Sequence, residues 1–230
     1  MIKKIIITIF SLILLISCSD FNSPIDILDK EVMKYGIDVG LEDSVISSKI
    51  RDRLQQYYKD NGYYKLIFIG VPKLEYSQKN FVSCLVIDEA EKIGISDITM
   101  DIRNIEFQNC IINSSMFMGK PSENIVLNFI FPENTITIIE DFAFNGLHKN
   151  LKEVKIPDSV KVIKSGAFSG SSGSQLTTVT YLGTSPNDIT FDGKIFSSTQ
   201  LKTLKIPNAS NPNDPAWKTF LGYNFETVTR

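Results

Sequence analysis

Residues 151–168 read LKEVKIPDSVKVIKSGAF, and their spacing decides the architecture. Leu151, Val154 and Ile156 are apolar at the pitch of a short strand, and Pro157 then removes an amide donor and ends the pairing. A second short run, Val160 and Ile163, leads to Gly166-Ala167-Phe168. The same pattern returns at a fixed step of 25 residues: Leu151, Leu176 and Leu201; Val154, Val179 and Leu204; Ile156, Tyr181 and Ile206. Pro132, Pro157 and Pro207 share one register, and Phe144, Phe168 and Phe196 close successive units. A period of this length marks a stacked solenoid, because one unit cannot bury its apolar face alone. Leucine on leucine and phenylalanine on phenylalanine are expected to form continuous buried columns.

Upstream the period fades. Residues 43–60, DSVISSKIRDRLQQYYKD, place Ile46, Ile50, Leu54, Tyr57 and Tyr58 at helical spacing, with Asp43 or Ser44 as the cap and Asn61-Gly62 as the stop. YYKLIFIG, 63–70, reads as a strand, as do FVSCLVI, 81–87, and ITMDIRNIEF, 98–107, whereas 119–124 reads as a loop. Ile102 and Ile105 lie 25 positions before Leu127 and Ile130, so residues 76–124 are read as degenerate copies of the later units.

The first eighteen residues, MIKKIIITIFSLILLISC, combine Lys3 and Lys4 with an apolar run from Ile5 to Ile16. That is the form of an export signal, and the run is short for a membrane span. The ending Leu15-Ile16-Ser17-Cys18 resembles a bacterial lipobox, which implies cleavage before Cys18 and lipid on its thiol and new amino group. An ordinary cleaved signal that happens to precede a cysteine is the alternative. Several acyl chains would anchor the chain stably, at about 0.8 kcal/mol per buried methylene. Loss of Lys3 and Lys4 with the signal would move the net charge from −2 to near −4. With no block of like charge, there is no footprint for nucleic acid.

Catalytic constellations are missing from the inventory. His148 is the single histidine, which forbids a multi-histidine metal site, and HExxH, paired CxxC, P-loop, GxGxxG and GxSxG patterns are absent. SGSSG at 169–173 reads as a turn between units. Glu140-Asp141 would point to opposite faces of a strand, and Asp88, Glu89 and Glu91 read as a solvated helix end or turn rather than a facing carboxylate pair. No cofactor or metal site is expected. Cys84 and Cys110 either pair in an oxidising compartment or remain buried thiols.

LKEVKIPDSVKVIKSGAF and IVLNFIFPENTITIIEDFAF, 125–144, resemble the BspA-like, treponemal-type leucine-rich repeats, whose pattern is approximately L-x-x-V-x-I-P-x-S-V-x-x-I-x-x-x-A-F. LTTVTYLGTSPNDITFDGKIF is a variant without Ile-Pro, and LKTLKIPNAS followed by PAWKTF is similar to the family's usual terminus. Gly146-Leu147 and Gly170-Ser171 stand where the family often has Gly-Cys. With the lipobox, the resemblance implies a surface lipoprotein in adhesion or host interaction, without a common ligand; that the chain is no enzyme is the expectation from its residue inventory. A periplasm-facing scaffold lipoprotein is the second reading, and an enzyme within 33–124 the third.

The expected fold is α/β: a β-rich leucine-rich-repeat solenoid of short strands with a small amino-terminal α/β module. The chain then divides into signal 1–17, tether 18–32, α/β module 33–75, degenerate repeats 76–124, repeats 125–207 and a cap, 208–230, around Trp217, Phe220 and Tyr223. Between the buried positions lie two outward columns, Lys152, Thr177 and Lys202 beside Lys155, Thr180 and Lys205. Strands about 4.8 Å apart would gather them into a basic strip for an anionic partner, a sulfated glycan or an acidic protein surface. Solubility and lysine's blocking of sheet growth explain the same residues without a ligand.

Overall fold

A computed structural model describes residues 30–230, apart from 78–80, 121, 123, 148, 171–173 and 199. The signal segment, Cys18 and His148 lie outside the described residues, as does part of SGSSG.

The chain runs α1 (Lys30–Tyr35), β1 (Gly36–Asp38), α2 (Asp43–Asn61), β2 (Lys65–Gly70), α3 (Val82–Ile93), β3 (Asp97–Ile105), β4 (Ile111–Ile112), β5 (Val126–Ile130) and β6 (Ile138–Ile139). β7 (Glu153–Ile156), β8 (Val162–Ile163), β9 (Thr178–Tyr181), β10 (Thr190–Phe191), β11 (Thr203–Lys205) and β12 (Thr227–Thr229) follow. These strands make three parallel sheets of four, in the orders β1-β2-β3-β5, β7-β9-β11-β12 and β4-β6-β8-β10. The third sheet, of two-residue strands, forms the opposite wall of the coils from β3 onward.

The columns are present. Leu151, Leu176 and Leu201 are buried, as are Val154, Val179 and Leu204, and Ile156, Tyr181 and Ile206. Registers Val154↔Val179 and Leu204↔Val179 hold the 25-residue step. Phe144, Phe168 and Phe196 stack at centroid separations of 5.0 and 5.9 Å, with ring planes 15° and 16° apart. Phe117 extends the column by one unit, 5.3 Å from Phe144. The spacing of 25 does not reveal it, because Phe117 precedes Phe144 by 27 residues and follows Met116 instead of an alanine. Tyr223 ends the stack edge-on against Phe196 at 6.0 Å. Trp217 and Phe220 cover Tyr181, and the Trp217 Nε1–H donates to Asn211 O at 3.0 Å.

Upstream, the same sheet direction is kept with a different backing. α2 and α3 pack on each other and stand where later coils have two-residue strands, and one buried core runs from Ile37 to Phe225. Steps between paired strands are therefore longer, as Gly36↔Ile67, Lys65↔Thr99 and Asp97↔Val126 record. Ile98, not Ile102, is the partner of Leu127, so the 25-residue relation read upstream is replaced by one of 29.

The segment 81–87, read as a strand, is the start of α3. Its residues Val82–Ile87 are all buried, and a continuous apolar run of that kind does not separate a buried helix from a strand. Gly94 ends the helix in the left-handed conformation, φ 71°. α2 occupies the expected span and ends at Gly62, φ 81°, but Glu42, not Asp43 or Ser44, is its N-cap, without a side-chain cap bond. Tyr58 leaves the buried stripe and stacks on Tyr64 at 4.5 Å.

Candidate interaction face

The strands β7, β9, β11 and β12 form one parallel sheet in continuous register, with one side turned outward. Alternation along each strand turns Val154, Val179 and Leu204 inward and the residues on either side outward. Register then writes two rows across the strands. One is Glu153, Thr178, Thr203 and Thr227; the other is Lys155, Thr180, Lys205 and Thr229.

Lys155, Thr180 and Lys205 stand side by side in register. Lys152, Thr177 and Lys202 precede the strands and are held as a column by the main chain: Thr177 N–H donates to Lys152 O (3.0 Å) and Lys202 N–H to Thr177 O (3.1 Å). Thr180, expected to point free of the core, is 7 % exposed, and its hydroxyl donates to Glu153 Oε1 at 2.7 Å. Lys205 Nζ reaches the same carboxylate oxygen at 3.2 Å, and Lys202 Nζ lies 3.3 Å from Glu226. The strip is thus not uniformly basic. Glu153 and Glu226 neutralise two of its lysines through exposed pairs of the kind that contribute about 0–1 kcal/mol. Among the described residues, Lys152 and Lys155 have no carboxylate partner.

The acidic clusters are also accounted for. Glu140 pairs with Lys164 at 2.8 Å, and Asp88 and Glu91 share Lys120. Glu89, expected to be solvated, is buried between Arg51 and Lys92, each at 2.6 Å. Burial pushes its carboxyl up, and the hydrogen bonds from Lys92 and Arg51 outweigh that and leave it below the ordinary glutamate value. Cys84 is a free, buried thiol whose Sγ–H donates to Met118 O at 3.6 Å, so the pairing of Cys84 with Cys110 is not made. No group of His, Cys, Asp and Glu among the described residues could hold a metal ion, and no described helix is long and apolar enough to cross a membrane.

A second feature was not visible in the sequence. β5 and β7 are consecutive in the coil order, yet no ladder joins them. Leu127 N–H donates to Asn150 O (2.9 Å) at the amino end, and beyond that point the strands part. At the carboxyl ends of the strands runs a groove of about 400 Å³, lined by Arg103, Ile130, Phe131, Lys155 and Pro157 and reaching Leu182 and Asn208 of the following coils. A small apolar notch shares Phe129, Phe131 and Lys155 with it and reaches Phe144 and Phe168.

The two coils differ in residue size. At the 25-residue step, Phe129 and Phe131 occupy the places of Val154 and Ile156. Their rings pack against Phe117 and Phe144, with centroids 5.2 to 5.7 Å apart. The change from helix-backed to strand-backed coils falls earlier, at β3, since β4, β6 and β8 already pair behind β3, β5 and β7.

Comparison with curated proteins and with solved structures finds no match. The family model of the BspA type leucine-rich repeat region matches in six copies over residues 110–228, more than half of the sequence, and the chain belongs to that family.

Proposed function

We propose that this chain is an exported, lipid-anchored interaction module that engages a protein or glycan ligand at the cell envelope through its leucine-rich-repeat surface, in an adhesive role. The repeat class supports interaction rather than catalysis, since such repeats typically form non-enzymatic protein-binding modules. The observation that carries the reading is the outward face of β7, β9, β11 and β12, where side chains of Glu, Lys and Thr stand in register on a rigid sheet. Rigid strands fix the spacing of contact groups, and stacked repeats extend that spacing into a broad surface.

The anchor rests on the pattern of residues 1–18, with Cys18 as the acylated residue. Location in the outer membrane or at the cell surface follows if the lipid faces outward. Metabolic labelling with an acyl-chain analogue, in the native chain and in Cys18→Ala, tests the anchor: label confined to the native chain is expected, and equal label in both overturns it. Protease added to intact cells tests the adhesive role. Degradation without opening the envelope is expected, and protection until it is opened would instead make the chain a periplasm-facing scaffold.

A further inference from the structure

We propose that the groove across the carboxyl ends of β3, β5, β7 and β9 is a binding site for an uncharged oligosaccharide. The proposal rests on the interaction reading above and gives it a place and a ligand class.

One outward side chain marks the place. Ile130 is in register with Asp101 on β3, and Lys155 follows it at the 25-residue step. Thr180 and Lys205 continue that row. At the upstream end of the row Ile67, the partner of Asp101 on β2, is buried with Val32 and Tyr35 of α1. Ile130 has no such cover among the described residues and is 36 % exposed. It is the apolar member of a stretch that otherwise reads Asp, Lys, Thr, Lys. With Phe131, Pro157 and Leu182 beside it, it gives the groove an apolar floor.

The rest of the lining carries charges of both signs that do not neutralise one another. Lys155, Glu133 and Asp158 line the same groove, yet none of the three makes a side-chain hydrogen bond or an ion pair among the described residues. Elsewhere on the surface carboxylates do find lysines, as Glu140 finds Lys164 and Glu153 finds Lys205. Both ends of the groove are held. Arg103 donates from Nε and Nη2 to buried Asp101 at 2.9 and 2.6 Å, and Asn208 Nδ2 donates to Leu182 O at 2.8 Å, which leaves Asn208 Oδ1 as an acceptor. A ligand of either charge would meet like charge in this lining. Sugar hydroxyls donate to carboxylates and accept from ammonium groups, so an uncharged saccharide satisfies both signs at once, and the C–H faces of its rings suit the apolar floor. Pro132 and Pro157, which follow β5 and β7, have no amide N–H and offer a peptide no main-chain donor there. The volume of about 400 Å³ lies within the range of small-ligand pockets, about 300–1,000 Å³.

The test uses the full chain, purified in detergent, on an array of uncharged, sulfated and carboxylated oligosaccharides together with short peptides. Binding to uncharged members is expected, and added salt should leave it unchanged because the ligand carries no charge to screen. Titration calorimetry with the best member should show Glu133→Ala and Asp158→Ala each weakening binding about tenfold. Glu133→Gln and Asp158→Asn, which keep an acceptor oxygen, should weaken it less. Ile130→Lys, which places a charge on the floor, should abolish binding, and Lys202→Ala, outside the groove, should leave it as it is. All of these side chains are exposed, and circular dichroism confirms that each variant keeps its fold. Absence of binding to every uncharged oligosaccharide, or binding that the groove variants leave unchanged, overturns the proposal. Preference for sulfated or carboxylated members, or for peptides, overturns it too, while keeping the adhesive reading and moving its site. The adhesive reading itself stands or falls on the protease experiment on intact cells.

Discussion

Phe117 lies face to face with Phe144, ring centroids 5.3 Å apart and planes 15° from parallel, although the two belong to units with different sequence spacing. The aromatic column therefore ties the irregular coils to the regular ones. Replacing Phe117 with Ala should cost about 3–5 kcal/mol, as much as the same change at Phe168 in the regular repeat. Denaturant unfolding followed by both tryptophan fluorescence and circular dichroism should show one shared transition, because a single buried core spans both parts. Two separated transitions would contradict a shared core.

Asp101 is the second joint. It is buried on β3 between Lys65 at 3.1 Å and Arg103 at 2.6 Å, and Lys65 also reaches Glu31 of α1 at 3.1 Å. Burial raises its carboxyl, but the hydrogen bonds from Arg103 and Lys65 outweigh that and hold it below the ordinary aspartate range. A depressed folded-state value stabilises the chain above the unfolded value, about pH 4, and that stability is lost as pH falls through the folded value. Asp101→Asn should cost about 3 kcal/mol at neutral pH by leaving Lys65 short of a partner, and should flatten the acid limb of the Tm-against-pH curve. Adding Lys65→Met should recover part of the loss. A double variant no better than the single one would show that the buried charge is not the cause.

Asn150 occupies the turn before the first regular coil, fully buried, and its Nδ2 donates to Ser122 O at 3.0 Å and Ile125 O at 2.8 Å. Buried serines take the comparable place in later coils, with Ser198 Oγ–H donating to Leu176 O at 2.9 Å. Asn150→Ala leaves two buried carbonyls without a donor, a cost of about 1–3 kcal/mol. Asn150→Asp, with acceptors where donors are needed, should be worse. Chemical denaturation of the two variants orders them, and equal stabilities would rule this bonding out as the reason for the asparagine.

Cys84 offers a simple probe of α3. Burial, with a smaller contribution from the Asp88 carboxylate, pushes its thiol up to about 11. Alkylation of the folded chain at pH 8 should therefore be far slower than in denaturant. Fast labelling in the folded state would mean that α3 opens readily.

Much of this fold was legible because its rule is local and repeated. Leu151, Val154, Ile156 and Phe168 announce their columns by spacing alone, and Trp217 with Phe220 announces the cap. The helix at 82–93 was not legible, since its buried faces erase the contrast on which helical periodicity depends. Nor was the neutralisation of Lys205, because Glu153 lies 52 residues away and meets it across an intervening strand. Thr180 was misjudged for the same reason: alternation gives its direction, and only the neighbouring carboxylate explains its burial. The missing ladder between β5 and β7 was not legible either, and ring volume at Phe129 and Phe131, which a pattern of apolar letters does not distinguish from Val and Ile, is the cause to test.

That last cause can be isolated. Phe129→Val with Phe131→Ile gives the β5 coil the residues of its neighbour. If ring bulk holds the strands apart, the variant should let β7 pair with β5, and the change should appear at the amides of Glu153 and Lys155. In the native chain these are expected to exchange hydrogen quickly, while those of Val154 and Ile156, which face β9, exchange slowly. In the variant all four should be slow. The substitution also removes aromatic packing against Phe117 and Phe144, so a net loss of about 2–4 kcal/mol is expected even as protection rises locally. A stability loss with unchanged exchange at Glu153 and Lys155 would show that ring bulk is not what holds the strands apart.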